Sequence, residues 1–317
     1  MAFSEIPLSF GILNFFSSKF FIIITLYYSY TPMSFIIKYP RAVVVGVLIL
    51  FNLLVWAAIY QRQPSDILTD NFLDIGQGDA IFIDSPGHGR ALIDGGANRK
   101  ILSELGKILP FADKRIDVMI ETHPDKDHIG GLPEVASRYE IGMFLEPGVE
   151  SDNNIDDELK KRIVETNVPS LLARRGMVIN FGDGVKFQIL FPNQDVSRWE
   201  TNDASIVARL VYGNKSLLLT GDSPIKTENI LLKLDSISLD SDVLKAGHHG
   251  SRTSTSLAYA QTVSPEYAVI SAGKNNSYGH PHQEVLNILA SVGAKIVSTV
   301  ELGTIKFETD GKTLELK

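Results

Sequence analysis

The sequence predicts an α/β protein in which two β-sheets are covered by helices, preceded by an N-terminal transmembrane helix. From residue 68 onwards, short apolar runs typical of strands alternate with amphipathic helical segments. Before them, residues 42–60 (AVVVGVLILFNLLVWAAIY) carry no charged side chain and are long enough to cross a bilayer. We therefore divide the chain into an N-terminal membrane segment at 1–62, a linker at 63–67 and a globular domain at 68–317.

The main membrane span is predicted at residues 42–60. Lys38 and Arg41 precede it, and the positive-inside rule keeps such residues in the cytoplasm. The expected protein is therefore a single-pass protein of the cell membrane whose domain is extracytoplasmic. A buried core helix and a cleaved signal peptide are alternatives, but the run has no amphipathic face and no small-residue cleavage pattern follows it.

The residues before this span leave two further alternatives open. Residues 20–37 are long enough to form an earlier span but are interrupted by Pro32, and translation could start at Met33. Both alternatives place the domain on the same side of the membrane.

The domain shows the mixed order of strands and helices from which the two sheets are inferred. The predicted strands are NFLDI, AIFID, ALID, IDVMIET, FQILF, SIVARLVY, SLLLTGD, YAVIS, AKIVST and TIKFET, and the predicted helices lie near 99–109, 224–234, 255–261 and 282–292. The segment SIVARLVYGNKSLLLTGD is typical of a hairpin that turns at Gly213 and Asn214. Such a mixture favours two sheets packed under helices.

Composition excludes some kinds of site. The chain has no cysteine, so disulfides and thiolate metal sites are excluded. Its 37 acidic and 30 basic residues give a net charge of -7, which argues against broad attraction to the phosphate backbone of nucleic acids. Any contact with nucleic acid must therefore be local.

Six of the seven histidines form three close pairs, namely His123 and His128, His248 and His249, and His280 and His282. Each pair follows a strand-like run or a loop, so the imidazoles are expected at strand ends, where an α/β protein opens its crevice. The seventh, His88, lies in the turn SPGHGR and is expected in solvent, as is His282 on a helix surface. The pairs therefore predict one shared site.

The segment THPDKDHIGG is the strongest candidate for metal binding. In an extended loop, His123 and Asp125 can point to one ion, while Asp127 and His128 turn towards a second. Two ions suit hydrolysis because they polarise the substrate and lower the pKa of water. The alternative is a capped turn in which Asp127 caps the following helix.

Two later segments supply further candidates. Asp222 ends the strand LLLTGD and either bridges the two ions or forms a simple turn. In KAGHHGS, His248 is the predicted ligand and His249 the residue that orients water or contacts substrate, although the reverse assignment stays open. Asn202 and Asp203 are candidates for a ligand, for a hydrogen bond to a ligand, or for an ordinary turn.

The loop NNSYGHPHQEV and its surroundings are candidates for substrate contact. His280 is the predicted catalytic residue, with Asn276 and Tyr278 binding a leaving group or an oxyanion; a capping turn also explains Asn276. Ser251 is a further candidate for substrate binding. The cations proposed along a groove are Lys245, Arg252 and Lys274, with solvated surface as the alternative for each.

Seven motifs in order resemble the metallo-β-lactamase-fold domain of the ComEC competence proteins. They are FLDIGQGDAIFID, ALIDGG, THPDKDHIGGL, NDASIVARL, LLLTGD, DVLKAGHHGSRTSTS and NSYGHPHQEVL. The resemblance covers residues 68–317 and implies an αββα four-layer sandwich, the metallo-β-lactamase fold. Asp125 stands where the superfamily motif H-x-H-x-D-H has its second histidine.

The resemblance also implies a set of ligands for two divalent ions. It makes His123 and Asp125 ligands of the first ion and Asp127 and His128 ligands of the second. The remaining implied roles are a bridge at Asp222, a further ligand at His248 and a carboxylate that orients a ligand at Asp94. The histidine expected before the bridging aspartate is missing, and Asn202 or Asp203 occupies that region. Oxygen ligands shift the preference towards Mn²⁺ or Mg²⁺ without excluding Zn²⁺.

The leading hypothesis is a membrane-anchored, extracytoplasmic, dinuclear metal-dependent hydrolase of phosphodiesters, with single-stranded DNA as a candidate substrate. Asp127, His249 and His280 are its predicted catalytic residues. One alternative keeps the fold and makes the protein an esterase, lactonase or β-lactam hydrolase. Another is a non-catalytic partner of a separate DNA-uptake channel. Full-length ComEC proteins add a multi-span channel, so a role in DNA uptake is implied by kinship alone.

Overall fold

The computed structural model describes residues 39–61, 66–110 and 113–317, with the side chains of 57–61 and 235–237 excluded. The chain divides into two compact units, Met1–Gln63 and Pro64–Lys317. The earlier span considered at residues 20–37 and residues 63–65 of the predicted linker lie outside the described residues.

The described part of the first unit is one helix, α1 (Pro40–Gln61). Its apolar side chains face outwards all round, with Phe51 63% and Trp56 68% exposed. Over the residues whose side chains are described, no helix combines the length and apolar character that crossing a membrane requires.

The second unit contains fifteen strands and eight helices of the α class among the described residues. The strands are β1 (Leu68–Phe72), β2 (Ile81–Asp84), β3 (Arg90–Ile93), β4 (Arg115–Ile120), β5 (Glu140–Glu146), β6 (Ser170–Leu172), β7 (Val178–Gly182), β8 (Val185–Phe191), β9 (Val207–Tyr212), β10 (Lys215–Leu219), β11 (Val243–Lys245), β12 (Tyr267–Ile270), β13 (Lys295–Ser298), β14 (Ile305–Thr309) and β15 (Leu314–Leu316). The helices are α2 (Lys100–Ile108), α3 (Lys126–Ile129), α4 (Leu132–Arg138), α5 (Asn154–Glu165), α6 (Ile225–Asp235), α7 (Leu257–Val263), α8 (Gln283–Ser291) and α9 (Thr299–Leu302). Single 3₁₀ turns occupy Asn202–Ala204, Ser236–Leu239 and Gly247–Gly250.

The strands form two mixed sheets. The first has eight strands in the order β15-β14-β1-β2-β3-β4-β5-β6, and the second has seven in the order β13-β12-β11-β10-β9-β8-β7. In the first sheet β3 to β6 are parallel, and in the second β10 to β13 are parallel. Each parallel half brings several carboxyl ends of strands to one edge, which is where loops can build a site.

Three apolar clusters define the layers. One lies between the sheets and combines residues such as Phe72 and Ile120 of the first with Phe187 and Leu217 of the second. A second cluster packs α2, α4 and α5 on the outer face of the first sheet, and a third packs α6, α7 and α8 on the outer face of the second. Because each sheet is buried on both faces, the unit is an αββα sandwich, and the prediction of two sheets covered by helices is confirmed.

Several predicted elements match the structure closely. β9 and β10 form an antiparallel hairpin that turns at Gly213 and Asn214, and the helix predicted near 99–109 is α2. Helix α5 was not predicted from the sequence, because its twelve residues are mostly polar. Leu159 and Ile163 are nevertheless buried, because one narrow apolar stripe suffices to pack a helix against a sheet.

Candidate metal centre

The candidate site lies where the parallel strands of both sheets end. Asp94 follows β3 and His123 follows β4 in the first sheet, whereas Asp222 follows β10 and His249 follows β11 in the second. His128 comes from α3, which directly follows the β4 loop. Since the two sheets face each other, these five side chains meet between them, as expected for the crevice of such a fold.

Two imidazoles and two carboxylates form the centre of the site. The Nε2 atom of His128 lies 3.3 Å from Oδ1 of Asp222, and Nε2 of His249 lies 3.3 Å from Oδ2 of the same residue. The latter Nε2 is also 3.4 Å from Oδ2 of Asp127. Among the four, Asp127 is half-buried and the others are buried.

This geometry fits a divalent cation. Within the described residues, the buried Nε2 atoms of His123, His128 and His249 make no hydrogen bond. Two ligands that each lie about 2.0–2.1 Å from one tetrahedral ion are separated by about 3.3–3.4 Å, which matches the distances in the cluster. Unbonded buried nitrogens beside carboxylate oxygens are costly without a cation, so the donor set fits a bound metal.

The two adjacent histidines have different surroundings. His249 is buried within the cluster, and its Nδ1 bonds the carbonyl oxygen of Ser271 at 2.9 Å. The His248 side chain is 27% exposed, and its Nε2 lies 3.6 Å from Oδ2 of Asp222. The structure therefore brings His249 into the buried group of donors and leaves His248, the ligand predicted from sequence, at its partly exposed edge. The Nδ1 of His249 bonds Ser271 while its Nε2 faces Asp127 and Asp222, so the ring lies among carboxylates and not at the rim of the site.

His123 and Asp125 lie beside this centre. His123 is fully buried, its ring centroid is 4.1 Å from that of His128, and its Nε2 is 3.7 Å from Oδ2 of Asp125. These two side chains are the ones that the sequence predicted as ligands of a first ion.

Asp94 orients His128 from behind. Its Oδ2 accepts from Nδ1 of His128 at 2.7 Å and from the hydroxyl of Thr122 at 2.7 Å, while Oδ1 accepts from the Thr122 backbone N–H at 2.8 Å. The Asp94 backbone has a positive φ of 58°, so the residue follows β3 in a sharp turn. A carboxylate on Nδ1 leaves Nε2 free for a metal.

Asp79 and Lys245 also belong to the site, although sequence reasoning gave Asp79 no role and placed Lys245 on a groove or a solvated surface. Asp79, His128, Asp222 and His249 offer donor atoms that all lie within 4.8 Å of one another. Asp79 faces the Nδ1 side of the imidazoles, at 3.5 Å from His249 and 3.9 Å from His128. Lys245 is fully buried and forms an ion pair with Asp79. The signals available in the sequence were an acid directly after the two glycines of GQGDA and a lysine that ends an apolar strand.

The segment before β9 has only a supporting position. Asp203 forms an ion pair with the exposed Lys226, so its carboxylate turns away from the cluster. Ser205 accepts a hydrogen bond from the backbone N–H of Asp222 at 3.3 Å and thereby holds that residue. The amide oxygen of Asn202 is buried and, within the described residues, has no hydrogen-bond partner.

The loop between β12 and α8 forms the rim of the site. The side-chain amide of Asn276 makes three hydrogen bonds to the backbone of Gly273 and His280, and thereby stabilises the loop. These bonds occupy the amide, which the sequence had suggested for substrate binding. Tyr278 is 64% exposed and stacks on the His280 ring with centroids 5.6 Å apart. The centroid of the His280 ring is 5.5 Å from that of His248. His248 thus lies between the rim and the central group of imidazoles and carboxylates.

Beside this loop lies an open cavity of 440 Å³. His280 and Lys274 line it together with apolar side chains such as Leu286 and Val300. Ser251 is buried and its hydroxyl contacts that of Thr253 at 3.0 Å, whereas Arg252 is exposed and pairs with Glu284. Of the three predicted groove cations, Lys274 is therefore the one beside the cavity.

His88 and His282 do not join the cluster. His88 is exposed in its turn. His282 precedes α8, and its Nδ1 accepts a hydrogen bond from the backbone N–H of Arg252 at 3.2 Å.

The charges of the cluster depend strongly on one another. Burial disfavours charge on each group, but attraction between imidazolium and carboxylate outweighs it, raising the pKa of His128 and His249 and lowering that of Asp222. Burial and the neighbouring imidazoles lower the pKa of His280 to about 4. Binding of a divalent ion to the cluster must displace protons from the imidazoles, which makes affinity depend on pH.

Three curated relatives match most of this chain. It is 32% identical to ComE operon protein 3 of Bacillus subtilis over 276 residues, which are 82% of this chain and 34% of that protein. It is 33% identical to Recombination protein 2 of Haemophilus influenzae over 251 residues, 77% of this chain and 29% of that protein, and 31% identical to competence protein ComA of Neisseria gonorrhoeae over 239 residues, 72% and 32%. The chain thus spans about a third of these relatives, and its resemblance to ComEC-type competence proteins is shown.

Solved structures confirm the fold. The metallo-β-lactamase fold protein YhfI from Bacillus subtilis matches 77% of this chain and all of its own with a TM-score of 0.53 at 13% identity. Igni18, a metallo hydrolase from the archaeon Ignicoccus hospitalis, matches 76% of this chain and 99% of its own with a TM-score of 0.50 at 17% identity. Residues 73–274 match the family itself. The chain belongs to the metallo-β-lactamase superfamily.

Proposed function

We propose that this protein is a metal-dependent hydrolase that cleaves phosphodiester bonds, with a DNA strand or a related phosphodiester as its substrate. The observation that carries the proposal is the convergence of Asp127, His128, Asp222 and His249, with nitrogen–oxygen distances of 3.3–3.4 Å. The similarity to competence and recombination proteins supports a nucleic-acid substrate.

We infer that the site binds two divalent ions. Asp127, His128, Asp222 and His249 would hold one, and His123 with Asp125 would contribute to the other. The carboxylates favour Mn²⁺ and the imidazoles permit Zn²⁺. Bound ions would supply Lewis acidity towards phosphoryl oxygens and lower the pKa of water.

The remaining residues orient the donors and receive the substrate. Asp94 and the carbonyl of Ser271 fix the rings of His128 and His249 through their Nδ1 atoms. The pKa of His280 is lowered to about 4, so its ring is neutral at neutral pH and can accept a hydrogen bond from the substrate. Exposed Tyr278 supplies an aromatic face on which a base can stack.

The test uses the full chain, stripped of metal with a chelator and resupplied with MnCl₂ or ZnCl₂. We expect hydrolysis of bis-p-nitrophenyl phosphate and of single-stranded DNA, and a loss of at least about 100-fold in His128→Ala. His88→Ala, in an exposed turn, is the matched control and should retain activity. Equal rates in His128→Ala and the unchanged protein would refute the proposal.

The same assay separates the alternatives. Turnover of carboxylic esters, lactones or β-lactams without phosphodiester cleavage would keep the fold and change the reaction. Binding of metal without turnover of any of these substrates would favour a non-catalytic partner of a separate uptake channel.

We also propose that α1 anchors the chain in the cell membrane, with the hydrolase unit outside the cytoplasm. The absence of charged residues between 42 and 60 and the basic residues before it support this. The chain should stay with membranes after alkaline carbonate extraction, and externally added protease should digest the hydrolase unit in spheroplasts. Release by carbonate, or protection of that unit, would contradict the anchor.

A further inference from the structure

Lys245 lies beneath the candidate metal centre and has no solvent-accessible surface. It ends β11, and its ammonium donates to the carbonyl oxygen of Gly221 at 2.9 Å. The same ammonium pairs with Oδ2 of Asp79 and lies 3.6 Å from Oδ1 of Asp222. A lysine is rarely buried in this way unless its charge is paired, so these carboxylates account for its position.

Asp79 connects this ammonium to the rest of the centre. Its Oδ1 is 3.5 Å from Nδ1 of His249, and its backbone N–H donates to the carbonyl oxygen of Asp127 at 3.3 Å. The pair of Asp79 and Lys245 therefore contacts both a nitrogen donor of the centre and Asp222, its central carboxylate. Neither Asp79 nor Lys245 reaches the rim where a substrate would bind.

The centre needs positive charge even when no divalent ion is bound. Asp79 and Asp222 are buried, Asp127 beside them is half-buried, and the repulsion between such carboxylates is stronger there than in water. The Lys245 ammonium is a permanent cation at this place, because it belongs to the chain and is already buried. It faces the side of Asp222 that also faces His128.

We propose that Lys245 is a built-in counter-cation of the metal centre, which holds Asp79 and Asp222 in position when no divalent ion is bound. The inference rests on the proposed metal centre and goes beyond it. An ammonium and a divalent ion beside one carboxylate repel each other, so each replaces part of the stabilisation that the other provides. Removing the ammonium should make folding depend more on the ion. Removing the Asp79 carboxylate leaves Asp222 as the only one of these two carboxylates beside the ammonium. Folding should then depend less on the divalent ion.

The experiment measures the melting temperature of the full chain in a mild detergent, first with chelator and then with MnCl₂. Lys245→Gln removes the charge and retains a donor for Gly221. It should melt lower in chelator, and its Mn²⁺-induced rise should exceed that of the unchanged protein by about 4 °C or more. Asp79→Asn should show a smaller rise than the unchanged protein. Lys245→Arg retains the charge and should show a rise close to that of the unchanged protein.

Lys215→Gln is the matched control. Lys215 pairs with Asp242 at 2.6 Å at the opposite end of the same two strands, β10 and β11. This variant should melt lower while keeping the ordinary Mn²⁺-induced rise. Opposite changes in Lys245→Gln and Asp79→Asn are the signature that a merely structural role would not produce.

Every outcome decides between the two proposals. If the unchanged protein shows no rise with Mn²⁺ and none when ZnCl₂ replaces MnCl₂, the metal centre itself is refuted. Equal rises in the unchanged protein, Lys245→Gln and Asp79→Asn overturn the role of Lys245 and leave the metal centre intact. A Lys245→Gln chain that folds only with Mn²⁺ is the extreme of the expected result, and one that folds under neither condition overturns the proposal, because the ion then fails to replace the ammonium.

Discussion

At the residue scale, hydrogen bonds to the Nδ1 atoms of two histidines set the orientation of their imidazole rings. Asp94 holds the Nδ1 of His128 at 2.7 Å and Ser271 holds that of His249 at 2.9 Å, so both Nε2 atoms face Asp222. Ring orientation is therefore set by hydrogen bonds from behind, before any ion is bound. This is why a residue outside the donor set can control metal affinity.

Asp94→Asn should weaken metal binding by about 10–100-fold, because an amide oriented by Thr122 no longer gives His128 a charged acceptor. Asp203→Asn is a suitable control, since that carboxylate pairs with Lys226 outside the cluster. Competition with a metal-sensitive dye would give both affinities. Equal affinities for the two variants would rule out an orienting role for Asp94.

The adjacent histidines allow a second prediction at this scale. His249→Ala removes a buried nitrogen donor and should abolish binding of at least one ion, whereas His248→Ala, at a partly exposed position, should cost less. Metal content after gel filtration, measured by mass spectrometry of the elements, gives the stoichiometry. A full complement of metal in His249→Ala together with loss in His248→Ala would restore the assignment made from sequence.

At the element scale, the loops that contain Gly78 and Gly95 support residues 122–129, the candidate metal-binding loop. The backbone N–H groups of Asp79 and Gly95 donate to the carbonyl oxygens of Asp127 and His128, at 3.3 and 2.6 Å. Gly78 lies so close that an added Cβ would stand 1.8 Å from the carbonyl oxygen of Asp127. The loop before β2 therefore fixes the position of α3.

Gly78→Ala should displace Asp127 and reduce metal affinity and activity together, since neither backbone can yield easily. Gly76→Ala is its matched control: both glycines have positive φ, 114° at Gly78 and 87° at Gly76, but an added Cβ at Gly76 meets nothing within 4 Å. That control should lose about 1–3 kcal/mol of stability through backbone strain and little metal affinity. Similar metal affinities in both variants would show that the close approach is unimportant.

At the scale of the whole molecule, an acidic side chain lies in the core between the sheets. Asp70 shares one face of β1 with Leu68 and Phe72, which belong to the inter-sheet cluster. Within the described residues, neither of its carboxylate oxygens has a hydrogen-bond partner. Burial raises its pKa from 3.8 to about 8, because the charged form loses its hydration.

Stability should therefore fall as pH rises through this interval. The unfolded chain releases the Asp70 proton near pH 4 and the folded chain only near pH 8, so the folded state binds more protons between them and loses stability as pH increases. Asp70→Asn should remove this dependence and melt higher, relative to the unchanged protein, at pH 8.5 than at pH 4.5. Exposed Asp240→Asn is the control, and equal differences at the two pH values would contradict a protonated Asp70.

Local residue patterns were sufficient to predict most of the secondary structure and the arrangement of two sheets under helices. Alternation of apolar runs predicted the two sheets and their helices, and the Gly213–Asn214 hairpin was predicted at its observed position. These features depend on neighbours in sequence, which periodicity and turn chemistry reveal. The polar helix α5 was missed because its packing stripe is short.

Only the tertiary structure decided which side chains share the centre. Three findings depend on how loops from the two sheets pack. His249 is buried beside Asp222, Asn276 bonds the backbone of its own loop, and Lys245 is buried against Asp79. Residues 79 and 245 are far apart in the chain, and no local pattern records that they touch. The pairing of buried charges such as Asp79 and Lys245 depends on the distance between them in the folded chain, and the order of residues does not give that distance.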